Sequence, residues 1–163
     1  MTNRTDAVSF RGVSATELAT VLSSVVDHGG NPVESFVDAA GGWPLRCCLS
    51  PSRPGDRIAI VAWSPFDWRG PYRETWLVVV HAGDGCTPAG DLTALPAPLD
   101  SAPMTLRPYR RDRTIAYEHV RHVPTGHSLT AEARDLLDVD DVVLVHGRNV
   151  TGGCFAFAAQ RVG

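Results

Sequence analysis

Asp141-Val142-Val143-Leu144-Val145-His146 and Thr75-Trp76-Leu77-Val78-Val79-Val80-His81 are the two stretches on which the fold turns. Both are short, rich in β-branched residues and fit for buried strands, and both end in histidine. Working outward, Arg57–Trp63 follows the turn Pro54-Gly55-Asp56 and carries the run Ile58-Ala59-Ile60-Val61-Ala62, which reads as a strand buried on both faces. Val8–Arg11 alternates like a short strand. Met104–Arg110 and Thr114–Arg121 read as a hairpin around Arg111-Asp112-Arg113, and Gly153–Val162 as a closing strand after the turn Asn149–Gly152.

Helical signals are fewer. Ser14-Ala15-Thr16-Glu17 has the reciprocal capping pattern, and Leu18, Val21, Leu22, Val25 and Val26 continue it as one apolar stripe that Asp27-His28-Gly29-Gly30 ends. A second short helix is expected around Val33–Ala40, and a third over Leu129–Asp138 with Thr130 as its cap. Gly83–Pro103, rich in proline, glycine and alanine, reads as a long ordered loop or lid. The sum is an α+β fold: a mostly antiparallel mixed sheet of about six strands with two or three helices, lacking regular βαβ alternation.

The 163 residues make one domain's worth of chain, 1–163, with residues 1–7 expected to be flexible. With 44% hydrophobic residues the chain can form a core, so wholesale disorder is excluded. A net charge of −3 offers no basic field for a phosphate backbone, which argues against nucleic acid as a partner. No apolar run approaches the roughly 20 residues of a membrane span, and no signal core opens the chain, so no membrane partner and a cytoplasmic location are expected. All 15 cations among Lys and Arg are arginine, which removes lysine Schiff-base chemistry. That bias fits a GC-rich bacterial genome, and specialised metabolism is one setting for such a protein. Oligomeric state is not legible.

Strand ends deliver polar residues to a sheet edge, which nominates His81 and His146 as proton carriers. Glu74, in Pro71-Tyr72-Arg73-Glu74 just ahead of the His81 strand, would complete an acid/base pair, against the plainer reading of an exposed Arg73–Glu74 ion pair. His146-Gly147-Arg148-Asn149, with Arg46 and Arg107, offers guanidinium forks for a carboxylate or phosphate. Tyr72 and Asn149 join them as binding residues. The competing view makes these arginines surface cations or partners of Asp56 and Asp112. Cys48 and Cys154 are candidate nucleophiles, since a neighbouring cation favours the thiolate.

The four cysteines, Cys47, Cys48, Cys86 and Cys154, match no CxxC pattern, and no disulfide framework or cofactor is expected. The metal alternative is zinc on His81, Cys86, His146 and Cys154, should the two histidine-ended strands be neighbours. His119 and His122 would point to opposite faces of a strand and are set aside. Phosphate-loop, dinucleotide and serine-elbow motifs do not occur.

Several segments together resemble a small bacterial family known only as domain of unknown function 1203: Pro44-Leu45-Arg46-Cys47-Cys48-Leu49, Pro54-Gly55-Asp56, Pro71-Tyr72-Arg73-Glu74, Val78-Val79-Val80-His81 with Cys86, His146-Gly147-Arg148-Asn149 and Gly153-Cys154-Phe155. The similarity runs from about Phe10 to Arg161. Leu45 stands where the family usually has cysteine, and Thr75-Trp76 where it usually has Gly-Pro. The resemblance implies that Arg46, Glu74, His81, Arg148 and Cys154 share one site, but it supplies no reaction. The expected function is a small soluble enzyme using acid/base chemistry, as an isomerase, lyase or hydrolase, on an anionic small molecule. The alternatives are a binding module using the same Arg/His cleft and a subunit that meets a partner through Trp63 and Trp68.

Overall fold

Eight strands and three helices form in the computed structural model, which describes residues 7–84 and 86–163. Strands β1 (Val8–Arg11), β5 (Met104–Arg110), β6 (Arg121–Val123), β7 (Val142–Asn149) and β8 (Phe155–Arg161) make one sheet in the order β1-β8-β7-β5-β6. A smaller sheet holds β2 (Ser35–Val37), β3 (Arg57–Trp63) and β4 (Trp76–His81) in that order. Every pairing within the sheets is antiparallel, which gives an α+β fold with two sheets in place of one.

The large sheet is the middle layer. Helix α3 (Leu129–Leu137) covers one face, where Leu129, Ala133 and Leu136 pack with Leu106, Val145 and Phe157. The small sheet covers the other, where Ile58, Val61, Trp63 and Val78 meet Tyr109, Leu144 and Phe155. Being covered on both sides, β7 opens with the unbroken apolar run Val142–Val145, which is why its sequence lacks alternation there. Its pairing with β5 slips by one residue between Tyr109 and Arg110, a bulge that leaves Val142 and Val145 on the α3 side and Leu144 on the small-sheet side.

Helix α1 (Ala15–Ser23) starts at Ser14 with both halves of the capping box formed. It is shorter than the stripe implied: Val25 is 87% exposed, and only Leu18 and Val21 are buried. Residues 33–40 hold β2 and not a helix, because Ser35–Val37 can pair with the open edge of β3. Ile60 is 42% exposed, so β3 is not buried on both faces; the outer face of a three-stranded sheet is only partly covered. Thr114–Arg121 is not a strand. A 3-10 turn at Tyr117–His119 interrupts it, and only Arg121–Val123 pairs with β5.

Ser128 caps α3 by accepting from Ala131 N–H at 3.1 Å, while Thr130, the expected cap, uses its hydroxyl to accept from Leu95 N–H at 3.0 Å. The 83–103 segment is thereby tied to α3, and it contains helix α2 (Ala97–Asp100). Of the stretch expected to be flexible, residues 1–6 lie outside the described residues, and Ala7 accepts a backbone hydrogen bond from Val162 at 2.7 Å. Trp63 is 3% exposed and packs on Phe155 at 5.4 Å between ring centres, so it offers no surface to a partner. Among the described residues no helix is long and apolar enough to cross a membrane.

Candidate functional site

The segment 42–51 lies along the free edge of β4. Arg46 N–H donates to the Val79 carbonyl at 2.8 Å, and the Arg46 carbonyl accepts from Val13 N–H at 2.7 Å. Leu45 bridges Val79 in parallel, and the edge that β4 would otherwise expose is blunted. This backbone docking forces the Arg46 side chain inward, where it is 6% exposed. Among the described residues no carboxylate pairs with it. Burial lowers its pKa to about 10, with the Cys154 thiol acting in the opposite sense, so the guanidinium stays charged at neutral pH.

Two cavities meet at this side chain. The larger, about 250 Å³, is walled by Pro44, Leu49, Pro51, Pro96, Leu99 and Met104. The other, about 230 Å³, is walled by Trp43, Leu77 and Val79 and reaches Cys154. Arg46 and Asn149 line both. The Asn149 carbonyl oxygen is occupied, accepting from Thr151 and Gly152 N–H at 3.0 Å each, so its amide NH₂ is the group left for the cavities. The polar contribution is therefore a set of donors in apolar walls, an arrangement suited to an anion with an apolar body.

A second group sits between the sheets. The Glu74 carboxylate is paired with Arg107 and lies 3.5 Å from Arg148 Nη1. Arg148 Nη2 is 3.2 Å from His146 Nδ1; a guanidinium only donates, so Nδ1 accepts and the neutral ring carries its proton on Nε2. Burial, reinforced by Arg148, drives the His146 pKa well below its ordinary 6.5. His146 is 0% exposed, ringed by Phe66, Tyr109 and Phe155. Its Nε2, the Tyr109 hydroxyl, and Nε and Nη1 of Arg148 are buried without hydrogen-bond partners among the described residues. A broad cavity of about 530 Å³, bounded by Tyr72, Glu74, Arg107 and Tyr117, opens outside this network.

A third group gathers at the far end of β4. His81 Nδ1 lies 3.8 Å from Cys47 Sγ and 3.9 Å from Cys48 Sγ, its Nε2 lies 3.1 Å from Asp56 Oδ2, and Cys86 Sγ is 3.3 Å from Cys47 Sγ.

The expected single hollow is thus three places. Glu74, Arg107, Arg148 and His146 come together, with Tyr72 on the adjacent cavity wall; Arg46, Asn149 and Cys154 come together; His81, Cys48 and Cys86 come together. Glu74 and His81 lie at opposite ends of β4, whose five steps from Trp76 to His81 alone cover roughly 16 Å. His146 is not at a strand end: β7 runs on through Asn149 because β5 and β8 pair with it up to Arg148, so the imidazole is sealed inside. The zinc set His81, Cys86, His146 and Cys154 does not assemble, since β4 and β7 belong to different sheets. Arg73 is not paired with Glu74; its Nε donates to Ser64 Oγ at 3.0 Å. Sequence reasoning missed Tyr109 and the role of Cys47. The one signal for Cys47 was its adjacency to Cys48, since spacing alone does not show that a loop will fold its two thiols towards a strand-end histidine.

A family model described as "Protein of unknown function (DUF1203)" matches residues 42–161, a span that contains all three groups. No curated protein and no solved structure matches the chain.

Proposed function

The chain belongs to the DUF1203 family, and we propose that this member binds a small organic anion, a carboxylate carrying an apolar body, in the paired cavities around Arg46. The observation that carries the proposal is a charged guanidinium, 6% exposed, that has no carboxylate partner among the described residues. An uncompensated buried cation is costly by several kcal/mol, and an incoming carboxylate that accepts two N–H bonds from the fork offsets that cost. Asn149 supplies a further donor. The proline- and leucine-rich walls would shed water against the ligand's carbon skeleton. The 83–103 segment, read from sequence as a lid, provides the wall that carries Pro96 and Leu99.

Calorimetric titration with hexanoate and phenylacetate tests this reading, with hexanamide and phenylacetamide as neutral counterparts. Both carboxylates are expected to bind and both amides to fail, and Arg46→Gln is expected to weaken carboxylate binding at least tenfold. Equal binding of amide and acid, or unchanged affinity in Arg46→Gln, would overturn it.

A catalytic form of this reading rests on Cys154, whose thiol shares the smaller cavity with Arg46. A carboxylate held by the guanidinium would place an electrophilic carbon of the same ligand beside this sulfur. Iodoacetate, an anionic alkylating agent, is then expected to modify Cys154 faster than neutral iodoacetamide does, a preference lost in Arg46→Gln. Proton transfer between Glu74 and His81 or His146 gains no support from the geometry: the first pair is separated along β4 and the last imidazole is enclosed.

A further inference from the structure

Besides the Arg46 cavities, the molecule carries a cluster of soft ligands that plays no part in anion binding. We propose that Cys47, Cys48, Cys86 and His81 form a site for a thiophilic divalent cation, zinc, with Asp56 orienting the imidazole.

The donors come from four separate segments: the 42–51 loop gives Cys47 and Cys48, the last residue of β4 gives His81, the following loop gives Cys86, and the turn before β3 gives Asp56. Sγ of Cys47, Nδ1 of His81 and Sγ of Cys86 all lie within 4.8 Å of one another. The Cys48 thiol faces the same imidazole nitrogen at 3.9 Å but stands outside that group of mutually close atoms. A tetrahedron with bonds of about 2.0–2.3 Å has edges of roughly 3.5–3.8 Å. The Cys86–Cys47 and Cys47–His81 separations of 3.3 and 3.8 Å lie within a few tenths of an ångström of two such edges, and rotation of the Cys48 side chain, 3.9 Å from the imidazole, would bring in the fourth ligand.

The surroundings favour a metal over a simple dithiol. His81 turns Nδ1 to the sulfurs and Nε2 to the Asp56 carboxylate at 3.1 Å, the arrangement by which a carboxylate fixes the tautomer and orientation of a ligating imidazole. His81 N–H also reaches Cys47 Sγ at 3.4 Å, a bond that a thiolate accepts better than a thiol. A disulfide between Cys47 and Cys86 would use neither feature. Three thiolates and one neutral imidazole fill the coordination shell, which describes a structural zinc site with no open position. Binding exchanges the three thiol protons for the metal and transfers no electrons. The ion would fasten the loop that bears Arg46 to β4 and to the segment after it.

The test uses the full chain expressed without a histidine tag. Elemental analysis is expected to give one zinc per chain. Replacement by cobalt(II) is expected to produce the intense near-ultraviolet absorption of thiolate coordination, lost in Cys86→Ser and His81→Ala but retained in Cys154→Ser and Arg46→Gln. A second measurement does not depend on those variants folding: zinc should protect Cys47, Cys48 and Cys86 of the wild-type chain from alkylation, leave Cys154 reactive, and lose that protection on chelation. A chain that takes up neither zinc nor cobalt, a native mass short of two hydrogens from a Cys47–Cys86 disulfide, an iron–sulfur chromophore, or cobalt binding that survives Cys86→Ser would each overturn the proposal. Hexanoate titration does not report on these thiols, so failure here and failure of the anion reading are separate outcomes.

Discussion

Arg46 and His146 are both nearly or wholly enclosed, and burial acts on them in opposite ways. Arginine cannot shed its proton at neutral pH, so Arg46 carries a desolvation cost that its pKa of about 10 reports. Replacing it by Met keeps the aliphatic packing and removes the charge, and Arg46→Met is expected to stabilise the ligand-free protein by about 1–3 kcal/mol in urea unfolding while abolishing carboxylate binding. A loss of stability would mean that the guanidinium is compensated within the fold. His146 sheds its charge instead. Its pKa is held below 6.5 by burial, whereas the unfolded chain takes a proton near that value, so the unfolded state binds more protons below about pH 6.5 and stability falls as pH drops. Asp27 and Asp38 are also depressed: burial works against Asp27 but backbone N–H groups outweigh it, and the Ser52 hydroxyl dominates at Asp38. Their contribution is lost only as pH falls below about 3.8, so the two windows separate. Urea midpoints at pH 7.5 and 5.5 are expected to differ in the wild type, and the difference should shrink in His146→Gln.

At the level of elements, β7 shows what a strand buried on both faces demands. A Cβ on Gly147 would stand 2.2 Å from Cε1 of Phe157, whose ring is itself 0% exposed, so Gly147→Ala is expected to cost about 2–3 kcal/mol. A loss below about 0.5 kcal/mol would show that Phe157 can move aside. Ser14→Ala should cost about 1 kcal/mol, because it breaks a capping box formed by Ser14 Oγ with Glu17 N–H at 3.2 Å and Glu17 Oε2 with Ser14 N–H at 2.9 Å. That cap was legible because it depends on four consecutive residues. The end of β7 was not. The chain after Val145 turns polar, and only the pairing of β5 and β8 with it keeps Gly147, Arg148 and Asn149 extended. For the same reason Ser35–Val37, expected within a short helix, became a strand once an edge was available.

In the whole molecule, strand identity was easier to read than sheet membership. The valine-rich runs did become β4 and β7, yet nothing in either run says that one joins a three-stranded sheet and the other a five-stranded one. That division separates the expected site into the Arg46 cavities, the Glu74–Arg148–His146 network and the thiol–imidazole cluster. Glu74, Arg107 and Arg148 still meet, because the segment before β4 passes over β5 and β7, and Arg46 still meets Asn149. The proposed function therefore rests on one enclosed cation, Arg46, between two cavities. Its most direct test follows the side-chain Nε–H resonance of Arg46, assigned by comparison with Arg46→Gln, while hexanoate is titrated into the labelled protein. The prediction is a saturable shift of that resonance with slowed exchange with water, absent with hexanamide. An Arg46 signal that stays in place while other resonances move would contradict the account.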